Sequence, residues 1–165
     1  MKIGQLFNVS GKVAVVTGGS RGIGEMISAG FLANGVKVYI TARKEEPLIK
    51  KAKELSNEYN GTCIPIACDL SSSLGIDYFV KMIHEKEKAI DFLINNAGAA
   101  WGEPYDEFSE VGWDKVMDLN VKSLFFLTQK LTEMLKVRAS GDDPSRVINI
   151  GSIDGLNVPA FETYS

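Results

Sequence analysis

Apolar positions along the chain fall into short runs and spaced stripes, and the two kinds alternate. The runs Lys12–Thr17 (KVAVVT), Val36–Thr41 (VKVYIT), Cys63–Ala67 (CIPIA), Asp91–Ile94 (DFLI) and Arg146–Ile150 (RVINI) are rich in β-branched residues. Their near-continuous apolar character predicts strands buried on both faces, as in a parallel sheet. Between them, Ile23–Asn34, Glu45–Tyr59, Leu74–Lys86 and Trp113–Lys136 carry apolar residues at three- and four-residue spacing, such as Leu48, Ala52, Leu55 and Tyr59. That spacing predicts helices with one buried face, and Asn34-Gly35 has the form of a glycine cap closing the first of them. Strand and helix in regular alternation imply right-handed crossovers and a doubly wound parallel α/β sheet.

The pattern also predicts where the fold is open. The sequence stops in the loop after its fifth strand, so nothing within it covers that strand's outer edge, and an unpaired edge is a liability. The expectation is one incomplete domain over residues 1–165, truncated after the fifth strand and poorly stable by itself. A missing remainder would cover the last strand and the helix face near Leu124–Leu127.

Composition narrows the function classes. Hydrophobic residues are 45% and charged residues 24% of the 165, an ordinary globular balance. A net charge of −3 supplies no basic footprint for nucleic acid or an anionic membrane. Met1–Lys12 has no apolar stretch suited to a signal peptide or a membrane span, so a cytoplasmic protein is expected. Cys63 and Cys68 have no second pair to complete a metal site and read as reduced thiols. The only histidine, His84, lies in a charged run and reads as a surface residue, which argues against most zinc hydrolases and serine triads. No metal is expected.

The candidate chemistry begins at Thr17-Gly18-Gly19-Ser20-Arg21-Gly22-Ile23-Gly24, between the first strand and the first helix. Glycines there permit a sharp turn, a close backbone approach to a pyrophosphate, and tight helix–strand packing. The helix amino terminus adds free N–H groups and partial positive charge. Gly18, Ser20, Arg21, Gly22, Ile23 and Gly24 are therefore candidate dinucleotide-binding residues. An acid at the end of the second strand would hold an NAD ribose, but this chain has Thr41-Ala42-Arg43. Arg43 can instead pair with a 2′-phosphate, with Arg21 reaching it from the other side. The cofactor these residues favour is NADP. After the fourth strand, Asn95-Asn96-Ala97-Gly98 places small residues where a ribose must approach, beside an amide able to tie neighbouring loops.

The T-G-x-x-x-G-I-G loop and the N-N-A-G run together resemble the short-chain dehydrogenase/reductase family, whose Rossmann fold binds NAD(P). N-N-A-G separates the chain from nucleotide-sugar epimerases. The resemblance implies that Asp69, followed by Leu70 after the third strand, bonds the adenine amino group. A helix-capping role for Asp69 before Ser71–Ser73 stays open beside it. Asn96, Ala97 and Gly98 join the cofactor set.

Two catalytic candidates follow. Asn120 sits on the apolar stripe Trp113, Val116, Met117, Val121, Leu124, Leu127, Leu131, Met134, Leu135. A buried amide there needs a partner, since an unpaired one costs about 1–3 kcal/mol. That partner is either nearby backbone or, as the family implies, a water in a proton relay. Ser152, after the fifth strand, lies at the carboxyl end of the sheet where ligands bind; in the family the matching serine polarises the reacting carbonyl. The family's acid is the tyrosine of Y-x-x-x-K. No lysine follows Tyr164 within the 165 residues, and Tyr164 stands closer to Ser152 than the family pattern, so it stays unassigned.

Ser152-Ile153-Asp154-Gly155-Leu156 is similar to the branch of 3-oxoacyl-[acyl-carrier-protein] reductases and rhamnolipid-pathway reductases. The expected activity is hydride transfer between NADPH and a small carbonyl or alcohol substrate, with a homo-oligomer for a complete protein. A non-catalytic NADP-binding module or a truncated gene product stays open as the alternative.

Overall fold

The computed structural model describes residues 8–153. In chain order the elements are β1 (Val13–Thr17), α1 (Gly22–Ala33), β2 (Lys37–Ala42), α2 (Glu45–Tyr59), β3 (Cys63–Ala67), α3 (Ser73–Lys86), β4 (Phe92–Asn95), α4 (Glu110–Met117), α5 (Ser123–Lys136) and β5 (Arg146–Asn149). Except that α4 and α5 divide one expected helix, each matches a predicted element within a few residues. The five strands form one parallel sheet in the order β3-β2-β1-β4-β5. The order reverses between β1 and β4, which opens a crevice beyond their carboxyl ends.

The two-sided burial read from the strands has a simple origin. Along β1, Val13 and Val15 join one core, with Phe79 and Ile83 of α3 and Leu127 and Leu131 of α5. Ala14 and Val16 join the other, with Leu32 of α1 and Leu48, Ala52 and Leu55 of α2. Alternate side chains enter opposite cores, so every position must be apolar. Gly35, at φ +74°, accepts the left-handed conformation that ends α1, and its N–H donates to Leu32 O at 3.0 Å.

Two expectations are corrected here. First, the helix expected over Trp113–Lys136 begins at Glu110, because Ser109 caps it by accepting the Gly112 N–H at 3.1 Å. It is not uniformly α-helical: Asp118–Lys122 forms a π turn joining α4 to α5. Such bulges occur often at functional sites. Second, Asp69 does not cap α3. Ser72 does, accepting from the Gly75 N–H at 3.0 Å, while Asp69 Oδ1 accepts the Ser71 N–H and hydroxyl. On the helix face near Leu124–Leu127, Leu127 is buried in the core, while Phe125 and Phe126 are exposed.

The outer strand departs from the two-sided burial that its apolar run predicts: among the described residues β5 pairs only with β4, and all four of its positions are exposed. No helix among these residues is long and apolar enough to cross a membrane. His84 is exposed in the last turn of α3.

Candidate functional site

The carboxyl end of β1 is where the chain first stops being apolar, at Thr17. Its buried hydroxyl accepts the N–H groups of Asn96 and Ala97, both at 2.9 Å, and lies 3.3 Å from Ile94 O, to which it donates. Asn96 answers by donating its side-chain amide to Thr17 O at 2.9 Å. This reciprocal pair locks the glycine loop to the loop after β4, as expected of an amide that ties neighbouring loops.

The glycines are set by contact. Gly18 has φ +65°, and a Cβ on it would stand 3.1 Å from Ala97 Cα. A Cβ on Gly24 would meet Gly18 O at 2.4 Å and Asn96 Nδ2 at 2.5 Å, so helix α1 packs against the loop only without a side chain there. No side chain caps α1 at Arg21. The first N–H groups of the helix are left to face the cleft, with the positive end of its dipole behind them.

All twelve sequence-predicted cofactor residues line one cleft of about 410 Å3. The glycine loop contributes Gly18, Ser20, Arg21, Gly22, Ile23 and Gly24; Arg43 follows β2; Asp69 and Leu70 follow β3; Asn96, Ala97 and Gly98 follow β4. Among the described residues neither Arg21 nor Arg43 makes an ion pair. Both are exposed at the cleft mouth. Thr41, Ala42, Cys68 and Leu119 also line it and were missed. Thr41 carried a signal, being the polar residue that closes an apolar strand. Leu119 carried none, because the π turn decides where it points.

The thiols are quiet. Burial pushes Cys63 up to about 12, and raises Cys68 as well, so neither is a ready nucleophile.

Asn120 lies in the middle of the π turn and is exposed, not buried as its place on the stripe suggested. Its side chain binds backbone in both directions: Oδ1 accepts the Ala99 N–H at 2.8 Å, and Nδ2 donates to Ala99 O at 2.9 Å. The backbone partner weighed above is therefore present. The contact pins the strand-like segment after Gly98 against the helix. Ser152 lies just beyond β5, whose continuation is held by the Ile150 N–H donating to Asn95 O at 2.9 Å. Asn95 also donates to Asn149 at 2.9 Å and to Thr128 at 3.1 Å, fixing β4, β5 and α5 together at the same end of the sheet. Asn120 and Ser152 thus both follow from anchors at the carboxyl ends of β4 and β5. Tyr164 lies outside the described residues.

The sequence profile described as short chain dehydrogenase matches residues 12–165. The chain is 42% identical over 159 residues to the rhamnolipids biosynthesis 3-oxoacyl-[acyl-carrier-protein] reductase of Pseudomonas aeruginosa, covering 96% of this chain and 61% of that protein. The structure of the Pseudomonas aeruginosa RhlG/NADP active-site complex superposes with a TM-score of 0.90 at 42% identity, again covering 96% and 61%. L-sorbose reductase from Gluconobacter frateurii, complexed with NADPH and L-sorbose, superposes with a TM-score of 0.84 at 30% identity, covering 90% of this chain and 55% of that one. The chain spans about three-fifths of the reductase it matches at 42% identity.

Proposed function

The chain belongs to the short-chain dehydrogenase/reductase family, and from that premise we propose that it binds NADPH in the cleft at the carboxyl end of its sheet. The observation that carries this reading is the pair Arg21 and Arg43, which line one cleft and make no ion pair with a carboxylate among the described residues. Such a pair suits a 2′-phosphate. The uncapped start of α1 offers N–H groups to a pyrophosphate, and the absence of a side chain at Gly24 lets it approach. The residues fit the dinucleotide.

NADPH would supply the hydride for reduction of a carbonyl. Ser152 would hold the carbonyl oxygen through its hydroxyl. Asn120 fixes the wall beside the cleft through Ala99, and a water on that amide would extend a proton relay. The 42% identity to a 3-oxoacyl reductase supports a substrate of 3-oxoacyl type. Residues 1–165 form one nucleotide-binding domain holding only part of the catalytic group, and we expect them to turn over little or nothing by themselves. Phe125 and Phe126, bare on α5, fit association with a second copy.

The test is one sample and two readings: NADPH titrated by its fluorescence, then NADPH consumption after addition of a 3-oxoacyl thioester. Saturable binding without consumption is expected. Full dehydrogenase turnover would overturn the inactive-domain reading, and no binding would overturn the cofactor reading.

A further inference from the structure

Helix α5 lies on the sheet, and α4 extends beyond it. Thr128 of α5 meets Asn95 at the end of β4, and Asn120, in the π turn before α5, meets Ala99 past that end. Leu127, Leu131, Met134 and Leu135 are accordingly buried in the core, whereas Trp113 on α4 is 57% exposed. Glu110, Trp113 and Met117 recur at three- and four-residue spacing and share one face of α4. With Val116 they line a cavity of about 820 Å3, and Tyr105 and Phe108, from the segment before the helix, line it as well. The volume suits a small molecule. No residue lines both this cavity and the dinucleotide cleft.

A phenol, a phenyl ring, an indole and one carboxylate face this space, and no lysine or arginine does. The charge around it has the same sign. Residues 101–117 hold five carboxylates and one lysine, a net −4, in a chain whose total is −3. None of the five (Glu103, Asp106, Glu107, Glu110 and Asp114) forms an ion pair among the described residues. The one lysine is already held by a ring, the Lys115 ammonium standing 4.1 Å from the Trp101 ring centre. This segment therefore seats one ammonium on an aromatic face, while Phe108 and Trp113 carry no cation among the described residues.

We propose that this cavity binds an organic quaternary ammonium ion, at a site separate from the dinucleotide cleft. The negative face of an aromatic ring attracts a cation within about 6 Å of its centre, and Glu110 adds a full opposite charge. The supply of acceptors chooses the class of cation. A primary ammonium or a guanidinium brings several N–H donors that need partners when buried. The polar side chains of the lining are Tyr105, Ser109 and Glu110, and the Ser109 hydroxyl already accepts the Gly112 N–H at 3.1 Å. A quaternary ammonium has no donors to satisfy, and its alkyl groups find apolar surface on Val116 and Met117. Anions are repelled by the carboxylates of the same segment.

The test compares choline with 3,3-dimethylbutan-1-ol, which has the same shape without the charge. Both are titrated calorimetrically into the 165-residue chain and into Trp113→Leu, Phe108→Leu and Glu110→Gln, with thermal melting and NADPH affinity measured on each protein. Choline should bind saturably and about tenfold tighter than the alcohol. Trp113→Leu, which keeps an apolar side chain but removes the ring, should weaken choline about tenfold and leave the alcohol unchanged; Phe108→Leu should do the same to a smaller extent. Glu110→Gln should weaken choline about threefold, a difference that high salt abolishes. NADPH affinity should stay the same throughout. The exposed Glu110 variant carries the test if a ring variant does not fold. Equal binding of alcohol and choline, no saturable choline binding, or variants that bind choline like wild type would each overturn the proposal. Choline that competes with NADPH would overturn it as a separate site, and a dimer in sedimentation that binds no choline would assign the cavity to an interface between copies instead.

Discussion

The two ends of the sheet both carry cavities and cations, and they differ in how the cations are used. At the amino end a hollow of about 580 Å3 is lined by Lys12, Lys37 and Arg138. Each is neutralised from within: Lys12 by Asp143, Lys37 by Glu87 at 2.9 Å, Arg138 by Asp91 at 2.7 Å. At the carboxyl end the smaller cleft, about 410 Å3, keeps Arg21 and Arg43 without such partners, beside an uncapped helix terminus. A cation already paired gains little from an anionic ligand, because the ligand must first displace its partner. The amino end is a clasp, and the carboxyl end keeps the free cations that the proposed receptor role requires.

Asp91 tests the clasp. It is 6% exposed, accepts the Val13 N–H at 2.7 Å, and receives Arg138 on the same oxygen. Asp91→Ala leaves a buried N–H unpaired and should cost about 2–4 kcal/mol of stability in urea unfolding. The nearly half-exposed Arg138 side chain, which recovers water, keeps the loss from being larger. NADPH affinity of the folded fraction should not change; a loss there would show that the ends are not independent.

Gly24→Ala tests the receptor. The added carbon has both the Gly18 carbonyl and the Asn96 side-chain amide in its way. A cost of about 1–3 kcal/mol is expected, with NADPH affinity down at least tenfold as α1 is pushed off the glycine loop. Titration beside thermal melting separates the two effects.

The smallest effect concerns the loop before α4, fastened where the Glu103 carboxylate accepts the Ser109 N–H at 2.7 Å. The Ser109 N–H holds the Glu103 carboxylate below the usual range. A depressed folded-state value means that its contribution is present above the unfolded value, about 4.3, and is lost as pH falls from there through the folded value. Tryptophan fluorescence from Trp101 and Trp113 should therefore change on acidification below about pH 4, and Glu103→Gln should shift to the acid-like signal at neutral pH. A pH-independent signal would remove Glu103 as the fastener.

The receptor was largely legible in the sequence and the clasp was not, for a physical reason. The carboxyl-end cleft is lined by contiguous loops, so Gly18 to Gly24 and Asn96 to Gly98 appear as runs. The clasp joins residues far apart in the chain, such as Asp91 and Arg138, and neither is unusual in its own neighbourhood. The α4–α5 helix lies between these cases. Its stripe was visible, but a stripe reads alike whether it rests on a sheet or overhangs one. The π turn leaves the apolar spacing intact while moving Asn120 out to solvent, so the expected burial of that amide failed and its backbone contact with Ala99 emerged only from the structure.

As proposed above, Arg21 and Arg43 make the carboxyl end a receptor for a 2′-phosphorylated dinucleotide. Calorimetric titration of NADPH and of NADH into the chain and into Arg43→Ala tests this. NADPH should bind at least tenfold tighter than NADH, and Arg43→Ala should remove most of that difference while leaving NADH unchanged. Equal affinities in the wild-type chain, or an equal loss for both dinucleotides in the variant, would contradict it.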